Sequence, residues 1–299
     1  MKKIVAVSLF LVVTLALSEG AYAQKFTKRK RYLSVGWSIG ACNYVGDLDP
    51  GQSFISPSLS KTGIHLGLFG GMYRWTPRIS FRGAVAYNMI RGNDWESSAG
   101  TGDAKFRKVR NLSFINHMFE FKADMIYDLL PNKGTYLKRP DYVPYAFWGI
   151  AVFYQNPYAY GTDNKLYNLR TMQNEGVLES PIQIAIPIGL GFRKKMNKEW
   201  DFAFEIGWRM TFTDYLDDVS GNYIANPTNA KFASRSGEQK VLDFAKENGL
   251  GISPDGKNLE GHYAAGDQRG ESGDNDWYIV TNIQLTKVLK GGVRCPKFR

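Results

Sequence analysis

Trp200-Asp201-Phe202-Ala203-Phe204-Glu205-Ile206-Gly207-Trp208-Arg209-Met210-Thr211-Phe212-Thr213 is two sequences interleaved. Every second residue gives Trp200, Phe202, Phe204, Ile206, Trp208, Met210 and Phe212. The remainder is Asp201, Ala203, Glu205, Gly207, Arg209, Thr211 and Thr213. Side chains alternate across a strand, so one face is wholly apolar and the other is small, polar or charged. A strand of a soluble sandwich can alternate too. An apolar face with Trp near one end, set against Asp, Glu and Arg, meets the demands of a transmembrane β-barrel. Lipid takes the first face, and a wet or salt-bridged lumen takes the second.

The pattern recurs on both sides of this stretch. Upstream, a first strand is expected over Leu33–Asp47, with Val35, Trp37, Ile39 and Ala41 on one face. Ser34, Gly36, Ser38, Gly40 and Cys42 form the other, small enough for a narrow lumen. A second covers Thr62–Tyr73, with Ile64, Leu66, Leu68 and Met72 outward. A third covers Ile79–Arg91, with Phe81, Val85, Tyr87 and Met89 outward and Arg82 and Asn88 inward. The fourth, Ser113–Leu129, turns Phe119, Phe121 and Met125 out and Glu120, Lys122, Asp124 and Asp128 in. The fifth, Tyr142–Asn156, is aromatic on both faces and leaves its orientation open. The sixth starts at Ile182, the seventh is the stretch quoted, and the eighth covers Asp276–Val288 with Trp277, Ile279, Ile283 and Leu285 outward.

The connections alternate between long and short. Asp49–Lys61, Asn93–Asn111, Pro157–Pro181 and Asp214–Asn275 are long; Arg74–Arg78, Pro131–Pro140 and Lys194–Lys198 are short. An eight-stranded up-and-down barrel with long external loops and both termini in the periplasm needs that alternation. One short helix is expected in the last loop, over Glu238–Asn248. Ser236 and Gln239 would form a capping box, Gly249 would stand at C′, and Val241, Leu242 and Ala245 would make the apolar side.

The amino end reads as an export signal. Met1-Lys2-Lys3 is charged, Ile4–Leu17 is apolar but too short to stop transfer, and Ala21-Tyr22-Ala23 suits cleavage. The expected division is therefore a signal peptide at 1–23, a barrel at 24–290 with its long loop at 214–275, and a periplasmic tail at 291–299. Net charge is +10; removing two lysines and one glutamate with the signal leaves +9. That balance suits phosphate-rich lipopolysaccharide or an acidic partner, and equally plain solubility. Nucleic acid is not an expected partner, because no groove-reading helix or stacking platform accompanies the basic residues. Cys42 and Cys295 fall in a strand and in the tail, so no bond between them is expected.

An eight-stranded barrel has room inside only for side chains. The inward charges Arg82, Glu120, Lys122, Asp124, Asp201, Glu205 and Arg209 come in both signs. They are expected to pair as a lumen salt-bridge network, giving a plugged barrel and not a pore.

Four segments carry a resemblance: Asn43-Tyr44-Val45-Gly46-Asp47-Leu48; Tyr215-Leu216-Asp217-Asp218-Val219-Ser220-Gly221-Asn222-Tyr223; Arg269-Gly270 with Asn275-Asp276-Trp277-Tyr278; and Cys295-Pro296-Lys297-Phe298. Together they resemble the PorG-like outer-membrane β-barrels of Bacteroidota across nearly all of the mature chain. The resemblance implies an outer-membrane barrel of the type IX secretion system, or a paralogue, associated with periplasmic ring proteins.

Individual sites follow from position. Asp217 and Asp218 open the long loop and Arg269 closes it, so a clasp between them would fold the loop over the lumen. Lys105, Arg107, Lys108 and Arg110 lie on an external loop and would contact lipopolysaccharide, or simply be solvated. Cys295, Pro296, Lys297 and Phe298 would dock a periplasmic partner, or form a loose terminus. His117, on the lipid face of the fourth strand, is the one residue on which a lipid A-modifying enzyme would depend; an interfacial girdle His is the alternative. Gly273-Asp274-Asn275-Asp276 lacks calcium-loop spacing. Phosphate-loop, zinc and dinucleotide motifs are not found. No cofactor or metal is expected. The function expected is non-enzymatic: anchoring or scaffolding a secretion complex, with a surface or envelope-structural barrel as the alternative.

Overall fold

The computed structural model describes residues 26, 30–49, 62–98, 100–102, 104–161, 165–225, 238–251 and 265–289. The signal peptide, Ser236, His262 and the tail 291–299 lie outside them. Among the described residues nine strands form in chain order: β1 (Leu33–Val45), β2 (Gly63–Arg74), β3 (Ile79–Asn93), β4 (Ser113–Asp128), β5 (Tyr142–Tyr160), β6 (Leu166–Asn168), β7 (Ile182–Lys195), β8 (Trp200–Thr211) and β9 (Trp277–Leu289). The sheet order is β4-β3-β2-β1-β9-β8-β7-β5-β6, and β4 also pairs with β5. That extra pairing closes eight antiparallel strands into a barrel, with β6 a short hairpin partner of β5. First and last strands meet in register, Leu33 opposite Leu289 and Val45 opposite Trp277.

Alternation decides which face goes where. Trp37, Ile39, Leu66, Leu68, Phe119, Phe121, Ile150, Ile184 and Leu190 all stand exposed on the outer wall. Phe121 is 65% exposed and Leu190 63%. Their inward neighbours Ser38, His65, Glu120, Ala151, Ala185 and Ala203 are buried. An apolar belt running round the wall exceeds what a soluble monomer leaves in water. The chain is a transmembrane β-barrel.

One face differs from the sequence reading, and one outward residue is covered. Met72 is buried and not outward. β2 carries one extra residue, since the register shifts between Leu68 and Gly71 against β3 and between Ser34 and Gly36 against β1. A bulge flips the parity of every residue beyond it, so Met72 and Arg74 turn into the lumen and Tyr73 faces out. Ile279 keeps the outward parity, opposite Trp208, but is covered. The structure also settles β5: Tyr145, Phe147 and Phe153 point inward, while Ile150, Val152 and Tyr154 face out.

The long connections are less loop-like than their composition suggests. After β3 come α1 (Asp94–Ser97) and α2 (Ala104–Arg110), and after β6 comes α3 (Leu169–Met172). In the last connection α4 spans Gln239–Glu247, with Val241 and Ala245 packed against Val109 of α2 and Leu242 also buried. Gly249 at φ +66° ends α4 as expected. The capping box does not close it at the front. Glu238 is the N-cap with no side-chain cap bond, and Gln239 Nε2 donates to Asp243 Oδ1 at 2.8 Å.

Phe121 stands on the belt, remote from the loops. Phe121→Lys should therefore cost about 2–4 kcal/mol of stability if it lies near the bilayer midplane. Urea unfolding of the barrel from lipid vesicles measures this.

Candidate functional site

Two polar assemblies occupy the barrel, one in the lumen and one over its mouth. The lumen assembly starts with strand register. Arg82 on β3 stands opposite Asp124 on β4, and its Nε donates to Asp124 Oδ2 at 2.9 Å. The same guanidinium crosses the lumen to β8, where Nη1 reaches Glu205 Oε1 at 2.6 Å. Lys122 Nζ approaches Asp124 at 3.4 Å, and the Tyr145 hydroxyl donates to Glu205 at 2.8 Å. One layer nearer the long loops, Arg209 Nε donates to Glu120 Oε2 at 3.2 Å, and that oxygen also accepts from Tyr278 at 2.7 Å. At the opposite end Asp128 lies between Arg74 (2.6 Å) and Arg193 (3.4 Å).

Asp201 sits apart from this network. It binds Arg139 at 2.8 Å, and Arg139 also donates to the carbonyls of Asn197 and Lys198, pinning the β7–β8 turn. Sequence reading missed Arg74, Arg139 and Arg193. Arg139 lies in a turn with no alternation to read, and Arg74 has its parity set by the bulge.

Above the charged layers lies an apolar plug, and here the three described motif segments meet. Leu48, Leu216 and Val219 are fully buried with Tyr44, Phe114, Met118, Phe153 and Val280. Leu216 and Val219 belong to the last loop, so the loop itself stoppers the barrel. Tyr44 places its hydroxyl 2.6 Å from Asp217 Oδ2 and 2.8 Å from Asp276 Oδ1. A Cβ at Gly46 would collide with both the Tyr44 hydroxyl and Asp276, so this approach requires glycine. Asp47 Oδ2 accepts from the Glu271 amide at 2.8 Å.

The expected clasp forms at Asp218 and not at Asp217. Asp217 does not pair with Arg269; its carboxylate takes Tyr44 and the Val219 amide. Arg269 binds Glu175 at 2.7 Å, approaches Asp218 Oδ2 at 3.5 Å and donates to the Asp218 carbonyl. Asp218 adopts φ +68°, the left-handed region where Asp is among the commoner non-glycine residues. Glu175, from the β6–β7 connection, also accepts from the amides of Ser220 and Gly221 and from the Tyr215 hydroxyl. It is the hub that sequence reading missed, since an acid in a loop has no periodicity. Burial lifts Asp218 to about 6, against the pull of Arg269, and lifts Asp214 to about 7.

The basic run is helical, and Arg110 is no lipid contact. It is buried, bonds Asp94 through Nε and Nη2 at 2.7 Å each, and donates to the carbonyls of Arg269 and Asp47. A buried guanidinium held by four acceptors ties α1 and α2 to the cap. Lys105 lies over the Phe106 ring, and Lys108 lies 4.9 Å from the Trp95 ring centre and 5.5 Å from that of Phe244. Arg107 lines a cavity of about 480 Å³ at the mouth, with Asp47, Phe106, Asp214, Glu271, Asp274 and Trp277. On the outer wall His117 Nδ1 sits 2.6 Å from the Tyr87 hydroxyl, stacked on that ring and edge-on to Tyr158.

A family model described as "Domain of unknown function (DUF6089)" matches residues 9–249. No curated protein matches the chain. Similar solved structures include Neisserial surface protein A, at 9% identity and TM-score 0.39 over 85% of this chain and 96% of that one. OprG from Pseudomonas aeruginosa is 11% identical with TM-score 0.36, covering 88% and 98%. Ail from Yersinia pestis, in complex with the heparin analogue sucrose octasulfate, is 6% identical with TM-score 0.34, covering 86% and 96%.

Two outcomes follow from this geometry. Arg82→Ala leaves Asp124 and Glu205 without their shared cation and should cost about 3–5 kcal/mol in vesicle unfolding. Arg269→Ala should speed proteolysis of the last loop while leaving the barrel's heat-resistant gel mobility unchanged; equal cleavage rates would refute the clasp.

Proposed function

The chain belongs to the DUF6089 family, and from that premise we propose a non-enzymatic outer-membrane barrel that anchors or scaffolds a periplasmic protein-secretion complex of the type IX kind. The observation that carries this reading is the filled lumen. Arg74, Arg82, Lys122, Arg193 and Arg209 interlock there with Glu120, Asp124, Asp128 and Glu205, under a plug of Leu48, Leu216 and Val219. A packed interior suits holding a position in the membrane better than conducting solute. The apolar belt supplies that position, with the short turns and both chain ends in the periplasm and the long connections outside. On the external side Lys105, Arg107 and Lys108 remain available to lipopolysaccharide phosphates.

The type IX assignment rests on the resemblance of the motif segments to PorG-like barrels. Three of those segments have structural work at the mouth, which accounts for them without a partner. A ring protein is therefore best sought at the short-turn end, where Leu130, Leu137 and Met196 are exposed. The tail with Cys295, Pro296, Lys297 and Phe298 is the other contact proposed. A surface or envelope-structural barrel is the second reading, and the mouth cavity beside Arg107 is the observation that favours it.

A gentle-detergent pull-down decides between them, using a tag in the β5–β7 connection and a parallel strain lacking residues 291–299. Co-purification of periplasmic ring proteins, lost on truncation, is the expected result. A barrel recovered alone from both strains would overturn the scaffold reading.

A further inference from the structure

Asp217, Tyr44 and Asp276 make a row of three acids that is short of acceptors' usual partners. Their exposures are 1%, 3% and 1%. A phenol carries one hydrogen, so the Tyr44 hydroxyl can donate to only one of the two carboxylates flanking it at 2.6 and 2.8 Å. The other contact is attractive only when that carboxyl brings a hydrogen of its own. The outer oxygens are already occupied. The Val219 amide donates to Asp217 Oδ1 and the Leu216 amide to Asp276 Oδ2, each at 2.9 Å. An amide can only donate, so the extra hydrogen is confined to the inner oxygens, on the line through Tyr44.

The surroundings do not neutralise the row. Asp47 and Asp214 face it and oppose a second negative charge. Arg110, from α2, is the cation acting on Asp217, but it is committed to Asp94 and two carbonyls. Arg269 is held by Glu175 and Asp218. The Phe114 ring meets Tyr44 edge-on, with ring centres 4.9 Å apart, and Gly46 fills the remaining approach.

We propose that Asp217, Tyr44 and Asp276 are a proton-binding latch: one proton, shared along the row, holds the last loop on the barrel mouth, and its loss releases the loop. Tyr44 comes from β1, Asp217 from the start of the loop and Asp276 from its end. The row therefore staples both ends of the loop to the wall.

The sign follows from linkage. Burial raises Asp217 and Asp276 well above the ordinary carboxylate range. The closed form thus binds a proton that the open form gives up. Closure is complete below the ordinary carboxylate range and weakens as pH rises towards the raised values, by up to about tenfold in the opening equilibrium per pH unit for one proton. Asp218 and Asp214, raised to about 6 and about 7, add a background of the same sign.

The test uses the full chain in detergent micelles. Infrared spectra of the wild type at about pH 7 should show the C=O stretch of a protonated carboxyl group. Asp214, raised to about 7, contributes to that band on its own account, so the comparison is made in the Asp214→Asn background: there the band should persist, and adding Asp276→Asn should remove it, because an amide donates to Tyr44 without a shared proton; Asp218→Asn should retain it. Loop cleavage by trypsin, normalised to a flexible peptide at each pH, should climb with pH more steeply in the wild type than in Asp276→Asn, by up to about tenfold per unit. A wild type with no carboxylic acid band at neutral pH overturns the proposal, and needs no variant to fold. A band or a pH slope unchanged in Asp276→Asn overturns it as well.

Discussion

A closed wall of eight strands leaves an interior that its own inward side chains must fill, and whatever charge goes in must find a partner there. The rest of the structure depends on this constraint. A lone buried ion costs several kcal/mol, whereas a hydrogen-bonded pair can come close to even. Arg82 shows how the chain meets the condition. Register brings Asp124 beside it, and lumen width brings Glu205 within reach from the far wall. Pairs such as Arg82–Glu205 and Arg209–Glu120 fix strands that share no ladder, so the network braces the barrel across its diameter. The hydrogen-bonded wall by itself braces only neighbours.

What was legible in the sequence follows the same physics. Strands declare themselves by a period of two, and lipid and lumen sharpen the contrast, so eight strands, and the faces of all but the fifth, could be read. The stretch from Trp200 to Thr213 put Asp201, Glu205 and Arg209 on the buried side, where the structure has them. Parity failed where a single residue was inserted. The Gly70-Gly71 pair permits a bulge without fixing one, and the bulge that forms there moves Met72 and Arg74 from one side of the wall to the other. Partners supplied by turns and loops were out of reach for another reason. Arg139 and Glu175 act through long-range geometry that no local pattern encodes.

The mouth differs from the lumen in kind. Its pairs are mostly between side chain and backbone: Glu175 to two amides, Arg110 to two carbonyls, Asp47 to an amide. Irregular chain has backbone groups that no ladder satisfies, and burying it requires polar side chains to stand in. That requirement explains why the motif segments are dense in Asp, Asn and Gly. Residues that look chosen for chemistry are here chosen to let a loop lie inside a barrel.

The stopper joins residues far apart along the chain. Tyr44 and Asp276 are separated by 232 positions, and β1 and β9 become neighbours only when the wall closes. Contacts of such separation form late, because the loop entropy must be met before they reward it. The stopper therefore assembles after the final seam has zipped. A chain that stalls as an open sheet keeps Leu216 and Val219 in the open, greasy and accessible to quality control. A finished one hides them, so the mouth of the barrel serves as its certificate of completion.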